Sequence, residues 1–398
     1  MPTTQEILGR KLKILVVPAN EGGCAQYRAI LPMKKLAEKH GDEVELRWNH
    51  NPLGLDVSTG AWQPNWDFED MKWADIVFTN NLCNFGGNYT ARIVGKAKEF
   101  GKYVHYDTDD LLTDLYDGHR LKQVYEEKGL GNITKFIYFH SDIVSVTQHK
   151  FAERILPFIN PNHVLVIIKN AIDYNLPCWN QPKLPPQRKN CVRIGWAGGI
   201  HHEQDLKNFV GIPSIVNQKV GAENVFWGFY GHPPINPETM DKEDWQIDVW
   251  KNYVNRFMFG SKTKNFQVFF ALPTDQYGVM FTNIDIAIAP LEMNQFNDSK
   301  SDIKVAEAGR YKIPLIASDV GCYSDTIING KTGFLIPTGK GEKRAWVDTL
   351  CRVIRDHNLR KNMGENLHVV TEQLFNLNDT VTDRLNLYKE VLLRDRSN

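Results

Sequence analysis

Lys300, Lys304 and Glu307 are the residues whose types and spacing point most directly to chemistry. If residues 302–310 form a helix, Glu307 lies one turn after Lys304 on the same face. A loop rich in Asn, Asp, Ser and Lys precedes that helix. Its backbone N–H groups and the positive end of the helix dipole suit an anion, and the two lysines add full charges. Glu307 can accept from hydroxyl groups. Cations for phosphates beside a carboxylate for a diol are what a sugar nucleotide requires. The bland alternative is a solvated charged helix face.

Those side chains need a scaffold. An apolar strand over 284–289 ends at Pro290, and a second strand over 314–318 leads to a turn at Gly321. Strand, loop, helix, strand is one βαβ unit of a parallel sheet, whose ligands sit beyond the carboxyl ends of the strands. The chain opens on the same plan: a strand over 12–18, then Gly22, Gly23 and Cys24, then a helix over 26–40. The glycines are not spaced as G-x-G-x-x-G, so NAD or FAD is not indicated. They would let a ligand approach the backbone at a helix start. The second half repeats the plan with a strand over 192–196, then Gly198, Gly199, His201, His202 and Glu203, and a helix from Asp205. Adjacent residues rarely converge on one metal, so His201-His202-Glu203 does not predict zinc.

A second chemical cluster is Asp107-Thr108-Asp109-Asp110, delivered by a strand over 103–106. Carboxylates this crowded need solvent or counter-charge. They could bind a divalent cation, orient or deprotonate an acceptor hydroxyl, or cap a helix over 111–115. His105, inside the strand, reads as core. Trp62 and Trp66 lie in an otherwise polar loop, where they either face an acceptor or pack over the sheet edge.

The 398 residues suffice for two domains. Lys plus Arg and Asp plus Glu number 47 each, so no global field draws the chain to nucleic acid or anionic membrane. A local cluster of Lys183, Arg188, Lys189 and Arg193 remains as a place for a DNA backbone. No apolar run is long enough to span a bilayer, and the start of the chain lacks signal-peptide order. Six cysteines without C-x-x-C spacing fit a reducing compartment, so a cytoplasmic protein is expected. The expected divisions are a first domain over 1–176 and a linker over 177–190 containing four prolines. A second domain spans 191–376, and a terminal helix 377–398.

The stretch 285–333 resembles the donor-binding region of GT-B glycosyltransferases of the group-1 retaining branch. Glu307 is followed seven residues later by Pro314, then the strand LIAS, Gly321, and GKTGFLI over 330–336. Ser299 stands where that family has a second acidic residue, and Lys312 where it has a glycine. FNxSKSxIKxxE over 296–307, GGCAQYRAILP with its Tyr27-Arg28 pair, and GWAGGIHHEQDL with His202 and Asp205 resemble a divergent subgroup that includes phage-encoded members.

The resemblance implies an α/β fold of two Rossmann-like domains facing across a cleft, with the last helix crossing back to the first domain. It implies transfer from a nucleotide-diphosphate sugar, a UDP-sugar favoured, to an acceptor hydroxyl with retention and without a metal or other cofactor. Asp109, Arg28, Lys304 and Glu307 would serve catalysis. Gly22, Gly23, Gly198, Gly199, His202, Tyr230, Ser299, Lys300, Gly321, Cys322 and Tyr323 would bind the donor. The acceptor would be a glycan, a small molecule or, for a phage enzyme in the host cytoplasm, a hydroxymethylated DNA base. A sugar-nucleotide epimerase and a non-catalytic nucleotide-sugar binder share these expectations.

Overall fold

Short runs of Val, Ile and Leu that are apolar on both faces suit parallel strands covered by helices. They build two separate six-stranded sheets, each wholly parallel. The computed structural model describes residues 1–56, 58–82, 87–119, 121–186, 188, 190–198, 202, 204–232, 251–260 and 264–396. The first sheet contains β1 (Leu12–Val17), β2 (Val44–Trp48), β3 (Ile76–Asn80), β4 (Tyr103–Asp107), β5 (Ile143–Val146) and β6 (Val164–Ile167) in the order β2-β1-β3-β4-β5-β6. The second contains β7 (Val192–Ala197), β8 (Val225–His232), β9 (Phe266–Phe270), β10 (Ile286–Ala289), β11 (Leu315–Ser318) and β12 (Gly333–Ile336) in the order β12-β11-β10-β7-β8-β9. Each is a Rossmann-like sheet. The order reverses between β1 and β3 in one and between β7 and β10 in the other. Such switch points are where doubly wound sheets bind ligands.

The chain divides into two units. The first comprises Met1–Asp173, Ser299–Ser301 and Phe375–Asn398, and the second Tyr174–Asp298 and Asp302–Leu374. The first core joins Ile14, Val16, Ile76 and Phe78 to Leu377, Val381, Leu385 and Tyr388 of the terminal helix Leu377–Arg396. The second packs Ile194, Trp227, Ile286 and Ile288 against Phe209, Trp346 and Leu350. Among the described residues no helix is long and apolar enough to cross a membrane.

Three local expectations are corrected. The proline-rich stretch 177–190 is not a free extended linker at its start: Pro177–Trp179 is a 3-10 turn whose Cys178 and Trp179 are buried. Trp179 lies 5.9 Å from the ring of Phe281 and 6.2 Å from that of Tyr311. No helix starts at Asp205. The chain turns through the 3-10 segment Lys207–Phe209, and the helix begins at Ile212, where Gly211 at φ +75° ends the turn and Pro213 fits the first helical turn. Nor does residue 111 open a helix: Leu111, Leu112 and Leu115 are buried in turns.

Candidate functional site

In the second unit, the expected cation and carboxylate meet on the helix Ile303–Arg310. Lys304 Nζ lies 2.6 Å from Glu307 Oε2 and donates to Tyr277 Oη at 3.0 Å. Burial works against the ammonium, but Glu307 and Tyr277 outweigh it and raise its pKa. Burial together with Glu307 pushes the Tyr277 phenol up to about 12, Lys304 opposing. The lysine is therefore a fixed positive charge at neutral pH. It keeps 23% of its side-chain surface, whereas Glu307 keeps 1%. An ammonium has three donors and, among the described residues, two are occupied, so one remains for a ligand. The covered carboxylate is first of all the lysine's partner. Asp302, the N-cap, makes no side-chain capping bond to the first turn, leaving its amides without that competitor for an anion.

The loops after β7 and β10 meet through Asp205. This buried carboxylate binds His202 Nδ1 at 2.7 Å through one oxygen. The other accepts from Asn297 Nδ2 at 2.6 Å and from the Glu292 amide at 3.2 Å. His202 is thus held at the switch point of the sheet by a group 92 residues away in sequence from its other partner, Asn297. Gly321, at φ +70°, turns the chain after β11 and donates its amide to Asp298 Oδ1 at 3.1 Å. A side chain there would be strained. Cys322 and Tyr323 come next, both buried, and burial raises the Tyr323 phenol. Gly198 donates its amide to the Tyr230 carbonyl at 3.0 Å. Gly199, His201 and Glu203 lie outside the described residues.

Tyr230, expected to bind the donor, is 4% exposed. Its ring lies parallel to Phe269 at 4.4 Å, and its hydroxyl accepts from Asn283. Strand pairing of β8 with β9 puts the two rings side by side, so the tyrosine belongs to the core.

In the first unit, Gly22 caps the turn Gly23–Ala25, which continues as a π-helix over Gln26–Ile30 and an α-helix over Leu31–Lys39. Asn81 Nδ2 donates to Asp109 Oδ1 at 3.1 Å, and Thr108 Oγ1 donates to the Asn81 side-chain oxygen at 2.8 Å. Cys24, Asp109 and Asp110 each offer a ligand atom within 4.8 Å of the others. Burial, assisted by Asp109 and opposed by Lys300, lifts the Asp110 carboxyl to about 6. Asp109 foremost, then burial, holds the Cys24 thiol protonated well above its usual pKa. Lys300 opposes both shifts, lowering the Asp110 and Cys24 pKa values. Ser299 is fully buried and accepts from Arg154 Nη1 at 2.8 Å, which places it in support rather than on a ligand.

Arg28 is corrected most strongly. Expected to serve catalysis, it is 1% exposed and grips Asp107 through Nε at 2.7 Å and Nη2 at 2.8 Å. Its remaining nitrogen donates to the Ile168 carbonyl at 2.6 Å and to Asn170 Oδ1 at 3.0 Å. Ser145 closes the other side of Asp107, and His105 links Ser145 to the Tyr388 hydroxyl. Every nitrogen of the guanidinium is thus engaged inside the fold. The π turn inserts an extra residue and so rotates this stretch of helix, which changes the face on which Arg28 falls. Of the basic cluster suggested for DNA, Arg193 is buried against Asp285 at 2.8 Å and Lys183 lies 3.6 Å from the same carboxylate, whereas Arg188 is exposed and Lys189 is outside the described residues.

Tyr277, Asn297 and Asn81 were not legible as site groups. Each reaches its partner from a different segment, and spacing along the chain carries no signal for that.

Residues 261–368 match the family model described as Glycosyl transferases group 1. The capsular polysaccharide biosynthesis glycosyltransferase CapM of Staphylococcus aureus is 28% identical over 86 residues, 22% of this chain and 21% of that protein. The match therefore spans about a fifth of the curated relative. Sucrose-phosphate synthase from Thermosynechococcus elongatus superposes with a TM-score of 0.66 at 14% identity, over 97% of this chain and 100% of that one. HepE of Anabaena, solved with UDP and glucose, gives 0.61 at 13% identity over 96% and 99%. A glycosyltransferase from Rickettsia africae gives 0.59 at 14% identity over 96% and 99%. At such identities the likeness is one of fold: two Rossmann-like domains, the GT-B arrangement of elements.

Proposed function

We propose that the chain is a glycosyltransferase that moves a sugar from a nucleotide-diphosphate sugar, a UDP-sugar favoured, to an acceptor hydroxyl with retention. The observation that carries this is the Lys304 ammonium, fixed by Glu307 at 2.6 Å and Tyr277 at 3.0 Å with a donor to spare. It lies within the segment that matches the group-1 family model. The UDP and glucose held by HepE support the choice of donor.

Breaking a glycosidic bond to a diphosphate leaves negative charge on the leaving group and positive charge on the sugar. Lys304 and the amides of the helix Ile303–Arg310 meet the first. Glu307 keeps the lysine charged and in place, and a sugar diol would share that carboxylate. His202 is oriented through Nδ1 by Asp205 beside the loop after β10. The acceptor is assigned to the first unit, where Asp110 at a pKa of about 6 and Asp109 can orient a hydroxyl and share its proton.

Thermal-shift screening across nucleotide sugars tests the donor assignment, because ligand binding to the folded state raises the melting point. UDP and a UDP-sugar should stabilise the protein, and Lys304→Ala should abolish that shift. Its turnover should fall by on the order of 10²–10³, as for removal of one charge-stabilising donor. If no nucleotide sugar shifts the melting point, the reading fails. Conversion of the donor without an acceptor would instead identify an epimerase.

A further inference from the structure

We propose that the first unit carries a separate saccharide groove, built to hold an acidic oligosaccharide away from Asp109 and Asp110. It leans on the glycosyltransferase reading only for its purpose, which is to anchor a glycan chain. The groove encloses about 740 Å³ between the loop after β2 and the helix Gly87–Glu99. That volume falls in the range of small-molecule sites.

Its walls are aromatic. Trp66 is fixed: its indole N–H donates to the Pro52 carbonyl at 2.8 Å, and its ring rests on Gly54. A Cβ at Gly54, which sits at φ +64°, would come within 2.4 Å of that ring, so only glycine permits the seat. Trp62 lies parallel to Tyr89 at 6.2 Å yet remains 41% exposed, and Phe136 is 45% exposed. A sugar ring presents a flat C–H face that covers such surfaces while its hydroxyls stay at the edge. Gln63, Asn65 and Asn88 line the same groove and can donate to and accept from those hydroxyls.

The charges favour an acid. Lys96 is paired with Glu99 at 2.5 Å and lies over the Phe68 ring at 5.1 Å. Arg92 lies over Trp62 at 4.7 Å, and among the described residues its guanidinium has no hydrogen bond or ion pair. A planar guanidinium with open donors matches a carboxylate in two-point fashion. A concave wall of this kind suits a chain-like ligand better than the flat surface of a bilayer.

The test is titration of the full chain with a hyaluronan hexasaccharide, followed by tryptophan fluorescence, against neutral cellohexaose. Saturable binding of the acidic chain is expected. Arg92→Ala should weaken it about tenfold and Trp62→Ala further. Among the described residues the Arg92 guanidinium makes no hydrogen bond or ion pair, so its variant should keep the parental melting curve, and Arg92→Gln provides a second uncharged replacement. Lys304→Ala should bind hyaluronan as the parent does, even where it loses its response to UDP. No saturation up to on the order of 1 mM, equal affinity for cellohexaose, or binding indifferent to Arg92→Ala would overturn the proposal. So would Arg92-dependent co-sedimentation with phosphatidylglycerol vesicles, which would make the patch a membrane contact. A parent protein that binds the glycan but shows no response to any nucleotide sugar would sink the transferase reading and leave the groove standing.

Discussion

Arg28–Asp107 in the first unit and Lys304–Glu307 in the second are both cation–carboxylate pairs in helices or strand ends around a switch point. They differ in what is left over. The guanidinium commits its donors to Asp107, Ile168 and Asn170 and keeps 1% of its side-chain surface. The ammonium is held by two groups, keeps 23% of its side-chain surface, and retains a donor. A saturated pair is architecture. A pair in which one partner is fixed and still has bonding capacity can meet a ligand without first having to be ordered.

The comparison breaks most visibly at Arg28. Arg28→Ala leaves Asp107 buried beside Ser145, with Arg384 at 3.7 Å as the nearest cation among the described residues. Urea unfolding should show a loss of about 3–5 kcal/mol, the usual result of stranding one partner of a buried pair. Lys304→Ala strands the covered Glu307 carboxylate and should also lose stability, but its distinguishing effect is on turnover. Full turnover in Lys304→Ala would erase the distinction between them.

Asp110 gives a smaller effect with a defined sign. Its folded-state pKa of about 6 lies above the ordinary carboxylate value of 3.8. The folded chain therefore still holds a proton that the unfolded chain has released. Stability falls as pH rises from about 4 to about 6, and the deficit persists above that window. Asp110→Asn should be more stable than the parent by about 1–3 kcal/mol at pH 8, the two converging near pH 4. Chemical denaturation at the two pH values measures it, and a pH-independent difference would contradict the assignment.

The smallest effect concerns Lys312, which adopts φ +55° where the resembled family carries glycine. Lys312→Gly should relieve the left-handed backbone and stabilise by about 0.5–1 kcal/mol, less the entropy that glycine gains on unfolding. A shift of the denaturation midpoint to lower denaturant would show that the lysine side chain contributes something the backbone does not reveal.

The fold was largely readable along the chain because buried parallel strands announce themselves as short apolar runs, and glycine turns mark the loops at their carboxyl ends. The pairing of Lys304 with Glu307 was readable for the same reason: residues three apart on a helix share a face whatever surrounds it. The stretch after Asp205 was misread as helix because Gly211 and Pro213 move the start to Ile212. The buried start of the supposed linker was missed because Trp179 finds Phe281 and Tyr311 only in three dimensions.

Local spacing thus determined which residue types stand at which strand ends, since that depends on helix and strand periods alone. Only the tertiary structure decided which of them are consumed by the fold. Arg28 became a core group because Asp107 and Asn170 converge on it from 79 and 142 residues away. Lys304 gained its second partner because Tyr277 reaches it from the 3-10 segment Tyr277–Asn283. Saturation of a polar group depends on neighbours brought together by packing, and a linear sequence does not record them.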